Sequence, residues 1–166
     1  MLKSHELFGF MSPALAQEIL NYAYDSDKQL YRAALGSVAE ARKLRPVFLE
    51  RQPRTERHVT MLQTFTRPSL DAVSGNLIGA WLLKKNTAML SDFLNSLGVP
   101  HKEGVVEDLP GEMEEGKLKA AIDALLAKYP PEVVAVYLHA FIEMNEVNWP
   151  ALKTAIESDS RLQLGA

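Results

Sequence analysis

Residues 131–145 read PEVVAVYLHAFIEMN, and this stretch decides the fold class. Residues 133–138 are rich in β-branched and aromatic side chains, a composition typical of a buried strand. We predict a helix, because Pro131 suits a first helical turn and the run is too long for an ordinary strand. Four of its apolar residues also recur at helical spacing: Val134, Tyr137, Leu138 and Phe141. The residues alone leave the choice between helix and strand at 133–138 open.

Periodicity on both sides of this stretch is helical. The most apolar segment, residues 70–83, indicates a central helix, and short helices are predicted at about 46–52 and 54–65. Glycine and proline dominate residues 98–116, where Val105 and Val106 are the only candidate for a short extended piece. The sequence therefore predicts a compact single-domain, all-α bundle of about seven helices over residues 1–166, with one long Gly/Pro-rich loop at residues 98–116.

Composition narrows the classes of protein to consider. With 166 residues, of which 47% are hydrophobic and 23% charged, the chain is long enough for one domain with a real core. The absence of cysteine excludes structural disulfides, thiolate metal sites and cysteine nucleophiles. We see no apolar leader and no run of about 18 apolar residues. We therefore expect a soluble, cytoplasmic protein without a membrane partner.

The formal net charge of −3 is divided unevenly along the chain. Residues 1–104 carry 13 lysines and arginines against 10 acidic residues, whereas residues 105–166 carry 5 against 11. The two parts therefore have net charges of +3 and −6. Such polarity can attract an anionic partner to one end, or it can let the two parts neutralise each other.

Seven of the 13 lysines and arginines in residues 1–104 lie between Arg42 and Arg67, and six of the seven are arginines. The candidate residues for binding an anion or a protein partner are Arg42, Lys43, Arg45, Arg51, Arg54 and Arg57. Arginine presents a planar fork of donors that matches carboxylate and phosphate, so its preference over lysine favours such a site. The alternative is that these side chains are solvated, or paired with the acidic C-terminal third of the chain.

The segment also contains apolar residues that we expect to anchor it to the core. They are Val47, Phe48, Leu49, Val59, Met61, Leu62 and Phe65. With these anchors the arginine segment should be a fixed surface of short helices instead of a disordered basic arm.

A second candidate site is His139 with Glu143, one helical turn apart, and Glu146 three residues further on. Ligands at i and i+4 can share a metal ion, but a usable site needs three or four ligands. A polar stripe with a local hydrogen bond accounts for the same spacing. We therefore expect no metal and no other cofactor, with His139 and Glu143 as the weak candidate.

No phosphate-binding glycine loop, His-Glu-x-x-His motif or Gly-x-Ser-x-Gly motif occurs in the chain. The sequence therefore favours a non-enzymatic interaction module that binds an acidic protein surface or associates with its own copy. One alternative is a nucleic-acid-associated protein that uses the Arg42–Arg67 face, although the acidic net charge disfavours it. A second alternative is a small metal-dependent hydrolase centred on His139 and Glu143.

Overall fold

In the computed structural model, which describes residues 1–165, the segment Pro131–Asn145 is an α-helix, so the helix prediction for this stretch is confirmed. Nine consecutive residues, from Val134 to Ile142, are buried. A helix that is surrounded on all sides has no polar face, so its composition resembles that of a buried strand.

The all-α fold is confirmed, since 74% of the chain is helical. The helices are α1 Ser4–Phe10, α2 Pro13–Ser26, α3 Lys28–Ala41, α4 Pro46–Glu50, α5 Arg54–Phe65, α6 Asp71–Lys85, α7 Thr87–Leu97, α8 Glu115–Lys128, α9 Pro131–Asn145 and α10 Pro150–Ser158. Short 3-10 helices occur at Pro68–Leu70 and Ser160–Leu162. The residues described thus form ten α-helices where about seven were expected. The seven-residue α1 was not anticipated, because two turns are too short for periodicity to reveal.

Contacts within the chain divide it into two units, whose boundary falls inside α6. The N-terminal unit comprises residues 2–81 and the C-terminal unit residues 82–164. The expectation of a single domain stays a prediction. Among the residues described, no helix has both the length and the apolar character needed to cross a membrane.

In the N-terminal unit, α2 packs against α3 and α5, α3 also contacts α4 and α5, and α1 lies on α5. Each helix contributes apolar side chains to one core, among which Leu7, Ile19, Leu20, Leu49, Met61 and Phe65 are fully buried. The Ser74 hydroxyl, itself buried, donates to the Phe65 carbonyl at 2.8 Å. This bond satisfies a carbonyl at the end of α5 and ties that end to α6.

In the C-terminal unit, α8 packs against α7, α9 and α10. Asp92 on α7 accepts hydrogen bonds from Lys128 Nζ at 2.9 Å and from the Tyr129 hydroxyl at 2.6 Å. These bonds hold the C-terminal end of α8 against α7 and keep the pKa of Asp92 below its ordinary value. Trp149 packs on Phe141 and donates from Nε1 to the Pro110 carbonyl at 2.9 Å, which fastens the loop before α8.

The expected loop at residues 98–116 contains a two-stranded hairpin, with β1 at His101–Lys102 and β2 at Val105–Val106. Gly98 ends α7 with a left-handed φ of 69°. Gly104 turns the hairpin with a φ of 89°, and a Cβ at this position would lie 2.8 Å from the Leu90 Cβ. Glycine is therefore required at residue 104 both by backbone conformation and by space.

The hairpin supplies a matched pair of substitutions. Gly104→Ala should lower the free energy of unfolding by about 1–3 kcal/mol, through left-handed strain and overpacking. Gly111→Ala lies in the same loop with no atom within 4 Å of its added Cβ. It should stay within about 0.5 kcal/mol of the parent. Urea unfolding measures both, and equal midpoints for the two variants would contradict the role assigned to Gly104.

A second prediction concerns Tyr137 on α9. Its hydroxyl is buried and has no hydrogen-bond partner among the described residues, and burial raises its pKa far above the ordinary value. Because an unpaired buried hydroxyl costs about 1–3 kcal/mol, Tyr137→Phe should leave the protein as stable as the parent or more stable. Thermal unfolding checks this, with Tyr129→Phe as the control that loses a real bond to Asp92. A large loss of stability in Tyr137→Phe alone would show that the hydroxyl has a partner.

Candidate functional site

The six predicted site residues all lie in the N-terminal unit, between the end of α3 and the second turn of α5. Arg42 is the C-cap residue just beyond α3, and Lys43 follows with a left-handed φ of 58°. Arg45 is the N-cap of α4, and Arg51 is its C-cap. The other two, Arg54 and Arg57, belong to α5. Their surroundings divide them into three groups.

Arg42 has a structural role. Its Nε donates to Thr64 Oγ1 at 2.6 Å, and Thr64 is fully buried. Arg67 makes the reciprocal connection, because its Nη1 donates to the Ala41 carbonyl at 3.2 Å. Together the two arginines join the end of α3 to the end of α5.

Arg54 and Arg57 lie against tyrosine rings. The Arg54 guanidinium carbon is 4.1 Å from the centre of the Tyr24 ring, and the Arg57 guanidinium carbon is 5.9 Å from that of Tyr31. Tyr24 and Tyr31 meet edge to face at 5.1 Å. Arg54 also donates to Asn21 Oδ1 at 3.2 Å, and Arg57 donates to the Glu50 carbonyl at 3.3 Å. Both cations are therefore held by neutral groups.

His58 is enclosed by this cluster. Its side chain is buried, and its Nε2 lies 2.9 Å from the Tyr31 hydroxyl. Burial and the positive charges of Arg57 and Arg54 lower the pKa of His58 to about 4, and Asp25 opposes this shift. Burial also raises the pKa of Tyr31, although Arg57 acts in the opposite sense. Both rings are consequently uncharged at neutral pH.

The positive charges of this segment have no carboxylate counter-ion in their own unit. Among the described residues 2–81, no carboxylate oxygen lies within 4.0 Å of any cationic nitrogen of the six site residues. In the acidic C-terminal third, which is the alternative partner considered above, Asp123 is paired with Arg161 at 2.8 Å. The N-terminal unit has ten basic and eight acidic residues, which give a net charge of +2. The C-terminal unit has eight basic and thirteen acidic residues, which give a net charge of −5.

Around α4 the charges surround exposed apolar side chains. Phe48 is 55% exposed, Leu44 41% and Val47 38%. We call these three residues, with the exposed Lys43, Arg45 and Arg51, the 43–51 surface.

The expectation that the apolar residues anchor this segment was wrong for Val47, Phe48 and Val59, which are exposed. It is confirmed for Leu49, Met61 and Phe65, which are fully buried. The reason is geometric, because α4 has only five residues and buries Leu49 alone. The rest of its apolar surface faces solvent.

The second candidate site does not gather a set of ligands. His139 lies in the buried face of α9, whereas Glu143 is exposed and Glu146 has left-handed backbone just beyond the helix. Within residues 1–165 there is no group of three histidine, cysteine or acidic side chains placed to hold a metal ion. His139 and Glu143 lie on one helix as their spacing predicts, but one side chain is buried and the other is exposed to solvent.

Tyr24 and Tyr31, which contact the arginines, were not among the site residues predicted from the sequence. Both tyrosines are only half-buried. The available signal was their placement seven residues apart, on either side of the break between α2 and α3, together with an Arg-x-x-Arg-His sequence at residues 54–58.

Searches of protein-family models, curated proteins and solved structures found no match. The side chains described above are therefore the basis for assigning a function.

The buried imidazole gives a pH prediction with a definite sign. Between pH 6.5, the ordinary pKa, and about 4, the lowered pKa of folded His58, the unfolded chain binds a proton that the folded chain excludes. Stability should therefore fall as the pH decreases through this window. In His58→Gln the slope of the unfolding free energy against pH should be smaller, by at most the slope that uptake of one proton produces. Urea unfolding at several pH values measures this slope. An NMR midpoint near 6.5 for the His58 ring would contradict the assignment.

Proposed function

We propose that this protein is a non-enzymatic helical interaction module, and that its 43–51 surface binds an acidic, partly apolar segment of another protein. One observation supports the proposal: cations that have no carboxylate partner among residues 2–81 surround the exposed Leu44, Val47 and Phe48. Apolar and aromatic contacts supply most binding energy in such surfaces, whereas the charges at the rim select the partner and speed association.

The geometry of the segment supports a fixed surface. Lys43 has left-handed backbone as α3 ends, and the Leu44 amide donates to the Ala39 carbonyl at 2.8 Å. Leu49 then secures α4 to the core. Since the backbone is already ordered, a partner loses little affinity to ordering this side of the interface.

Acidic partners are favoured over nucleic acid. Phe48 is the one aromatic side chain on the 43–51 surface, and Glu50 lies exposed within it. Binding to single-stranded nucleic acid usually combines several stacking aromatics with a continuous basic groove. A second copy of this chain offers another acidic source, because the C-terminal unit has a net charge of −5.

The residue types that the partner segment contains can be determined by selecting peptides that bind the intact protein at low salt from a random peptide-display library. We expect enriched peptides to combine aspartate or glutamate with leucine, phenylalanine or tryptophan. Binding of a selected peptide should weaken at least tenfold between about 50 and 500 mM salt, because exposed charge pairs are screened. Enrichment of neutral or basic peptides would contradict the proposal.

The same peptides test the location of the surface. The triple variant Arg45→Glu, Phe48→Ala, Arg51→Glu should lose at least tenfold in affinity, since it reverses two rim charges and removes the main apolar contact. The control variant Lys84→Glu, Lys85→Glu, Met144→Ala makes the same types of change at exposed positions elsewhere. It should bind like the parent in a fluorescence-anisotropy titration. Equal losses in both variants would mean that overall charge, and not the 43–51 surface, determines binding.

A further inference from the structure

We propose that the cleft between α2 and α5 binds a phosphate group, either free phosphate or that of a small phosphorylated molecule, through the Arg54 guanidinium and the His58 ring. This site shares no residue with the 43–51 surface. It therefore goes beyond the interaction proposed above and stands or falls separately.

The cleft is a cavity of about 320 Å³, which is within the size range of small-molecule sites. Its walls are mostly polar. Two residues come from α2 and four from the first two turns of α5: Gln17, Asn21, Arg54, Thr55, His58 and Val59.

Arg54 brings unused hydrogen-bond donors to this cavity. Of the five guanidinium N–H groups, the one hydrogen bond within the described residues goes to Asn21 Oδ1 at 3.2 Å. Stacking on Tyr24 at 4.1 Å holds the group in place without consuming the remaining donors. Because Asn21 uses its oxygen to accept from Arg54, its amide nitrogen is left as a further donor. The guanidinium is thus positioned before any ligand arrives, which reduces the entropy cost of binding.

His58 adds another donor, assigned from its hydrogen-bond partner. Because the ring is uncharged, it carries one proton, and a Tyr31 hydroxyl that donates to Nε2, 2.9 Å away, places that proton on Nδ1. We assign the ring this tautomer, with Nδ1 as the donor. Nδ1 makes no hydrogen bond among the described residues, and His58 lines the cavity.

The balance of charge selects an anion. Arg54 and Arg57 both act electrostatically on His58, whereas Asp25 is the one carboxylate that does so. Arg54, Asn21 and the His58 ring place several donors around the cavity. A carboxylate and a phosphate group can both accept from them, but phosphate has three terminal oxygens and a larger negative charge, so it can engage more of the donors at once.

The test is an NMR titration of the intact protein with inorganic phosphate, glycerol 3-phosphate and acetate at constant ionic strength. We expect saturable shifts of the His58 ring and the Thr55 amide with both phosphates, and much weaker shifts with acetate. Tighter binding of glycerol 3-phosphate identifies a phosphoester ligand, and equal binding identifies free phosphate. The ¹⁵N shifts of the ring also report directly whether Nδ1 carries the proton.

Variants locate the site. Arg54→Gln removes the guanidinium from Tyr24 and from the cavity. It is expected to weaken phosphate binding at least tenfold at a temperature where its amide spectrum shows a folded protein, whereas Arg45→Gln is the matched control and should bind like the parent. Shifts that fail to saturate, acetate binding equal to that of phosphate, or equal binding by the two variants would overturn the proposal. None of these outcomes affects the peptide experiments on the 43–51 surface.

Discussion

Two guanidinium groups of α5 lie against the rings of Tyr24 and Tyr31, where a carboxylate partner would be the ordinary arrangement. This contact fixes α5 relative to α2 and α3, since the tyrosines belong to those helices and the arginines to α5. It also leaves the charge of the cations uncompensated, because an aromatic face attracts a cation without cancelling its net charge. The electrostatic properties of the N-terminal unit depend on this pairing of arginines with tyrosine rings.

The consequences extend to the groups around the cluster. Enclosed between the tyrosines and the arginines, His58 has a pKa of about 4 and stays neutral at physiological pH. A protonated imidazole there would add a third positive charge to a partly buried site. At the other end of the segment, Arg42 and Arg67 clamp α3 to α5 through hydrogen bonds to neutral oxygens. The segment between these fixed points, residues 43–51, is consequently ordered while its cations remain exposed.

The sequence was sufficient for the features that depend on local chemistry. Long periodic helices, the end of α7 at Gly98 and the loop at residues 98–116 all follow from spacing and from glycine and proline. The exposure of Phe48 did not follow, because it depends on which side of a five-residue helix meets the core. Pairing of the arginines with tyrosines was harder to predict, since it is a tertiary contact between residues up to 30 positions apart in the chain, Tyr24 and Arg54. Charge counts left open a pairing of the arginines with the acidic C-terminal third, and that alternative stays a prediction.

The central claim is that the arginines of the 43–51 surface, which have no carboxylate oxygen within 4.0 Å in residues 2–81, are available to an acidic partner. The most direct measurement is the rate at which phenylglyoxal modifies each arginine of the folded protein, followed by peptide mass spectrometry. Arg161, which pairs with Asp123 and Asp159 at 2.8 and 2.7 Å, is the internal reference for an occupied guanidinium. Arg45 and Arg51 should react several times faster than Arg161, at nearly the rate of an unstructured peptide. Protection of Arg45 and Arg51 equal to that of Arg161 would contradict the account.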